Sequence, residues 1–162
     1  MSYNTIRLSE QLSEKHVIIH SSSENAEGIL REMILVLSEE LGVDVCEDIL
    51  KEIWVREKRI TTGIGHGVAV PHARTSLVKQ LYCIAATSEQ GIEFKASDGK
   101  PVFLFFLVIT PEFTVGPHLN IISAIASLVG KNAASMAADF NNALSPDEFM
   151  EILTSKEEKY IS

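Results

Sequence analysis

From Ala26 to Leu41 apolar side chains recur at three- and four-residue steps (Ala26, Ile29, Leu30, Met33, Ile34, Leu37, Leu41), the signature of one helix face. Ser21, Ser22 and Ser23 precede this run and supply N-cap oxygens, Glu24 and Glu27 suit a first turn, and Gly42 can end the helix. A second helix is predicted from Asp44, with Glu47 three residues on in capping-box spacing. Its apolar face is Cys46, Ile49, Leu50, Ile53 and Trp54, and Arg56 falls at its C-terminal end. The pattern then changes. Thr61 to Gly67 reads as a Gly- and Thr-rich loop, and Val68 to Val70 as a short strand stopped by Pro71, which cannot donate to a ladder. Leu81 to Thr87 is a second strand. Val102 to Ile109, eight consecutive β-branched, aromatic and aliphatic residues, predicts a strand buried on both faces. After Pro111 the helical spacing returns. Gly116-Pro117-His118 opens a helix with Leu119, Ile122, Ile125, Ala126 and Val129 on one face, and two shorter helices follow over Ser135 to Ala143 and Asp147 to Leu153.

Helices, then strands, then helices predict an α/β fold, a sandwich with a central mixed β-sheet flanked by helices on both faces. With no repeat and no linker, residues 1–162 are expected to form a single domain. The apolar run at Val102 is far shorter than the ~20 residues that cross a bilayer. The first residues also lack a basic patch followed by an apolar stretch, so the expected location is cytoplasmic, without membrane insertion. Cys46 and Cys83 stand among apolar neighbours and read as buried thiols rather than a disulfide or metal pair.

Charge sharpens the picture in one place. The net charge is −8, which argues against nucleic acid, whose phosphates are met by many Lys and Arg. Between Arg56 and Lys79, however, Arg56, Lys58, Arg59, Arg74 and Lys79 face one acid, Glu57, a net +4. A basic segment in an acidic chain predicts a local anion site.

That segment contains TGIGHGVAVPHAR, Thr62 to Arg74. Its glycines are not spaced as a dinucleotide fingerprint, and no Gly-Lys-Ser/Thr ending follows to make a nucleotide-phosphate loop. The informative residue is His72, behind Pro71 at a strand end. There a ring can have one nitrogen anchored by a hydrogen bond and present the other. With an ordinary pKa of about 6.5, an imidazole is mostly neutral near pH 7.5 and has a lone pair for attack. Phosphoryl chemistry needs cations and donors around the group. Arg56, Arg74, the hydroxyls of Thr61 and Thr62, and His118 in the first turn of a helix are the residues that can supply them. The ring of His72 is expected to be exposed and uncharged, facing these cations.

These residues carry a resemblance. Thr62 to Arg74, with Arg56-Glu57 before it and Pro111…His118-Leu119 after it, is similar to the enzyme IIA domain of the fructose–mannitol class of the bacterial sugar phosphotransferase system, including its nitrogen-regulatory member. The similarity runs from about Ile6 to about Leu153. It implies that His72 is the phosphorylated residue, that Arg56 neutralises the phosphoryl group and that His118 lies beside His72. Thr62 and Arg74 are further expected contacts to phosphate. The resemblance also implies a donor, the histidine phosphocarrier protein, and an acceptor, an enzyme IIB domain phosphorylated on cysteine, with no cofactor. An alternative within the same chemistry is a regulatory IIA, whose phosphorylation state at His72 controls binding to a protein target. A metal-dependent hydrolase built on His66, His72 and His118 is disfavoured, because cations rather than carboxylates flank the histidines.

Overall fold

The apolar run at Val102 becomes the spine of the molecule. In the computed structural model, which describes residues 7–58, 61–114, 116–133 and 135–161 apart from the side chains of His118 and residues 159–161, this run forms β6 (Val102–Pro111). Its alternate side chains enter two cores. Leu104, Phe106 and Val108 point to one face, and Phe105, Leu107 and Ile109 to the other, which is the period-two geometry of a strand covered on both sides.

On one flank β5 (Tyr82–Ile92) runs antiparallel to β6, and the short β1 (Val17–Ile18) lies parallel outside β5. On the other flank β3 (Val68–Ala69) and β4 (His72–Thr75) both lie parallel to β6, with β2 (Gly63–Gly65) antiparallel to β3. The order is β1-β5-β6-β3-β2, with β4 continuing along β6 beyond the end of β3. The helices α2 (Ala26–Leu41) and α3 (Cys46–Glu57) cover the Phe105 face. The Phe106 face is covered by α1 (Leu8–Gln11), α4 (Gly116–Lys131), α5 (Met136–Asn141) and α6 (Pro146–Ile161). The mixed sheet between helical layers is as expected. On the second face Phe106, Phe140 and Phe149 form an aromatic cluster with ring centroids 4.6–6.5 Å apart. Burying each ring contributes roughly 1.5–3 kcal/mol.

Local chemistry corrects several expected boundaries. The side chain of Asn25, not a serine, caps α2 by accepting from the Gly28 amide at 2.8 Å. Gly42 ends that helix at φ 69°. Asp44 accepts from the Cys46 amide, and α3 has Val45 at its N-cap without a side-chain bond. Glu47 pairs with Arg31 of α2 instead of folding back, so the capping box does not form. The predicted loop at Thr61 to Gly67 holds strand β2 and the turn of a hairpin. Gly63 must be glycine there, because a Cβ would sit 2.8 Å from the Ala96 Cα. In α4 the buried face is Ile121, Ile125, Leu128 and Val129, whereas Leu119 is 58% exposed. The predicted helix at Asp147 runs longer, to Ile161, and its buried face continues past Leu153 to Glu157, whose carboxylate accepts from the amides of Leu8 and Ser9. No helix among the described residues is long and apolar enough to cross a membrane.

Candidate functional site

Pro71 creates the setting. Its carbonyl accepts from the Val108 amide at 3.0 Å, so β6 continues unbroken, but its own nitrogen has no hydrogen to give. The β2–β3 hairpin ends at this point, with the Val70 amide bonded to the Thr62 carbonyl at 2.9 Å. Beyond it β4 pairs with β6 on one side only. His72 is therefore the first residue of an edge strand. The C-terminal end of α3 approaches it from one layer and α4 from the other.

The imidazole is fixed. Its Nδ1 lies 2.7 Å from the Val70 carbonyl oxygen. A carbonyl only accepts, so Nδ1 carries the hydrogen and the lone pair of the neutral ring is at Nε2. Burial, and then the cations Arg56 and Arg74, hold this imidazole below the usual histidine pKa, while the bond to Val70 acts in the opposite direction. The ring is thus kept neutral, as expected. The expected exposure is corrected, since His72 is only 7% exposed and Nε2 has essentially no water-accessible surface. The reason is that β4 lies deeper between the two helical layers than a strand end read from sequence suggests.

Two cavities meet at this ring. The larger, about 720 Å³, opens between α3 and β4 and is lined by Arg56, His72 and Arg74, together with the acids Asp48 and Glu52 on the same face of α3 as Arg56. The smaller, about 270 Å³, is lined by Arg56, Thr62, Val70 and His72, and by Ile122 and Ala126 of α4. Arg56 and His72 line both. Arg56 is exposed at the last turn of α3, and Arg74 is exposed on β4.

Thr62 is placed at this site, with a bonding partner that sequence did not indicate. It is buried, and both its amide (3.1 Å) and its hydroxyl donate to the Glu57 carboxylate. In this structure the hydroxyl hydrogen goes to Glu57, the neighbour of Arg56. Burial pushes the Glu57 carboxyl up, against the pull of the Thr62 bonds and Arg56. His118 is the third residue of α4, in its first turn, four and eight residues before Ile122 and Ala126; its side chain, like the whole of Arg59, lies outside the described residues. His66 is elsewhere. It sits exposed in the β2–β3 turn at φ 57°, its amide on Asp98, and lines a separate cavity with Glu89, Asp98 and Lys100. The trio of His66, His72 and His118 is therefore not assembled. Among the described residues no group of three His, Cys, Asp or Glu side chains is arranged to hold a metal ion.

Glu57, Val70, Ile122 and Ala126 were not singled out by sequence. Glu57 stood in view beside Arg56, but its bonding partner five residues on is set only by the return of the chain into β2.

An imidazole with Nδ1 tethered, a neutral ring and a guanidinium sharing its cavities can act as a nucleophile toward an anionic, electrophilic centre. Known proteins share this arrangement of chain. The nitrogen regulatory protein IIA-Ntr of Neisseria meningitidis superposes with a TM-score of 0.73 at 28% identity, covering 90% of this chain and 98% of that one. The IIA mannitol structure from Escherichia coli, at 18% identity, shares the fold with a TM-score of 0.72 over 88% and 98% of the two chains. Among curated relatives, the fructose-specific EIIA component of Haloferax volcanii is 38% identical over 59% of this chain and 62% of its own length. The nitrogen regulatory protein of Pseudomonas aeruginosa is 27% identical over 78% and 82%. The fructose-specific EIIABC component of Bacillus subtilis is 27% identical, and this chain spans only 20% of its length. Residues 10–156 match the family described as phosphoenolpyruvate-dependent sugar phosphotransferase system, EIIA 2, and the chain belongs to that family.

Proposed function

We propose that this chain works as a single cytoplasmic phosphoryl-carrying unit that accepts a phosphoryl group on Nε2 of His72 and passes it on. In the accepting step the Nε2 lone pair attacks phosphorus on the phosphohistidine of the small phosphocarrier protein. A new P–N bond forms as the donor's P–N bond breaks, and the donor imidazole leaves with that electron pair. Docking of the donor must uncover Nε2, which water does not reach in the resting protein. The hydrogen stays on Nδ1, donated to the Val70 carbonyl, which stabilises the positive charge of the phosphorylated ring. Arg56, and more distantly Arg74, balance the phosphoryl charge, with His118 in the first turn of α4 where the helix dipole favours an anion. In the onward step a cysteine thiolate of an enzyme IIB attacks phosphorus, and His72 recovers its electron pair as the neutral ring.

The single observation that carries this reading is the His72 imidazole tethered at Nδ1 in two cavities that Arg56 also lines. The solved complex of enzyme IIA mannitol with phosphorylated enzyme IIB mannitol from Escherichia coli, a fold neighbour at 18% identity, supports a IIB-type acceptor. Incubation with phosphoenolpyruvate, the upstream enzymes and a panel of IIB domains tests it. Acid-labile, base-stable label should appear on His72 and move to a IIB cysteine; label on another residue overturns the assignment.

A second reading has its own support. The nitrogen regulatory protein of Pseudomonas aeruginosa aligns over 82% of its length and the Neisseria meningitidis IIA-Ntr structure over 98%, against 20% for the fructose-specific EIIABC component. In that reading the phosphorylation state of His72 governs affinity for a protein target. A target bound equally by the phosphorylated and unphosphorylated chain would exclude it.

A further inference from the structure

Glu57 is a half-buried carboxylate at the edge of the site, and the chemistry just described does not use it. It lies next to Arg56 at the end of α3, where the helix hands over to the segment leading into β2. Its two oxygens take the Thr62 amide at 3.1 and 3.3 Å and the Thr62 hydroxyl. The Thr62 carbonyl in turn receives the Val70 amide at 2.9 Å. The Val70 carbonyl receives the His72 Nδ1 hydrogen at 2.7 Å. Each bond fixes the residue that makes the next one, so Arg56 and the His72 ring, on different elements and sixteen positions apart, are referred to one anchor.

We infer that Glu57 is a positioning residue for phosphoryl transfer: by clamping Thr62 it sets the Val70 carbonyl that holds the proton of His72 on Nδ1 and directs Nε2 at the phosphoryl group. This rests on the proposed role of His72 and adds to it the means by which the ring is oriented.

Position and charge are separable here. Glu57→Asp keeps the charge but withdraws the carboxylate by one methylene, beyond reach of both Thr62 donors. Glu57→Gln keeps the length, and its carbonyl oxygen can still accept from Thr62. Phosphoryl acceptance from the phosphocarrier protein is measured in single turnovers, and the ring tautomer of the unphosphorylated protein is read from the ¹⁵N shifts of His72. Glu57→Asp should slow acceptance about tenfold, the effect of losing about 1.4 kcal/mol of transition-state stabilisation. It should also shift hydrogen from Nδ1 toward Nε2 without changing donor affinity, while Glu57→Gln stays within about threefold of the parent. A slow Glu57→Gln beside an unimpaired Glu57→Asp would show that charge rather than position matters, and would overturn the inference, as would a normal tautomer in Glu57→Asp. Should Glu57→Asp fail to fold, Thr62→Val removes the hydroxyl bond alone and must lower the Nδ1–H fraction; an unchanged tautomer there also overturns it. If the parent protein takes no label on His72, it is the carrier reading that fails, while the tautomer measurement still judges the role of Glu57.

Discussion

His66 and His72 stand six residues apart in one glycine-rich segment, yet the fold gives them opposite surroundings. His66 caps the exposed turn of the β2–β3 hairpin in a left-handed backbone conformation, its amide on Asp98 and its cavity shared with Glu89 and Asp98. His72 opens an edge strand between two helical layers, tethered to Val70, in a cavity lined by Arg56 and Arg74 as well as by Asp48 and Glu52. The same side chain is thus placed once in water at a turn and once out of water with two arginines lining its cavity. Reactivity toward an anion follows the second environment: desolvation keeps the lone pair unprotonated, and nearby cations attract the negatively charged electrophile. A histidine's chemistry here is decided by what the chain brings around it.

The contrast can be broken most decisively at His72 itself. His72→Ala should abolish phosphate uptake from the phosphocarrier protein, read as loss of all acid-labile label; surviving uptake would remove the distinction between the two histidines. Next in size is the guanidinium. Arg56→Ala should slow acceptance about tenfold to a hundredfold, since charged hydrogen bonds contribute roughly 1.5–3 kcal/mol and about 1.36 kcal/mol is tenfold in rate. A rate within twofold would reduce Arg56 to a surface cation at a helix end.

Titration sharpens the electrostatic half of the comparison. The pKa of His72 lies below the usual histidine value, so its ring should remain neutral as pH falls through about 6.5 and protonate only at lower pH. An NMR titration of the ring resonances checks this, and Arg56→Ala should move the midpoint upward because one of the cations that depress it is gone. A midpoint at or above the ordinary value would mean that burial and cations do not govern this ring. The smallest effect belongs to the other histidine. His66→Ala should leave acceptance within about twofold of the parent, measured in the same single-turnover assay. A larger loss would tie the hairpin turn to transfer.

Much of this was legible along the chain. The eight-residue run at Val102 could only be a strand covered on both faces, and the spacings of Ile29 to Leu37 and Ile49 to Ile53 could only be helix faces, because period and burial are local properties of an amphipathic sequence. The motif around His72, the basic excess from Arg56 to Lys79 and the proline before the histidine marked the site for the same reason: backbone restriction and charge are written residue by residue. What could not be read depended on contacts between distant segments. The exposure expected for the His72 ring gave way to burial, because α3 and α4 close over β4 from opposite layers. Thr62, expected to donate to phosphate, gives its hydroxyl hydrogen to Glu57 in this structure, a partner chosen by where the hairpin returns. Asn25 displaced the serines as a cap through a backbone angle of its own. The sequence by itself determined which groups are available, namely a neutral nucleophile, its cations and a sheet to hang them on. Only the tertiary structure decided which of them meet, since a hydrogen bond or a desolvated charge depends on distances that chain spacing does not set.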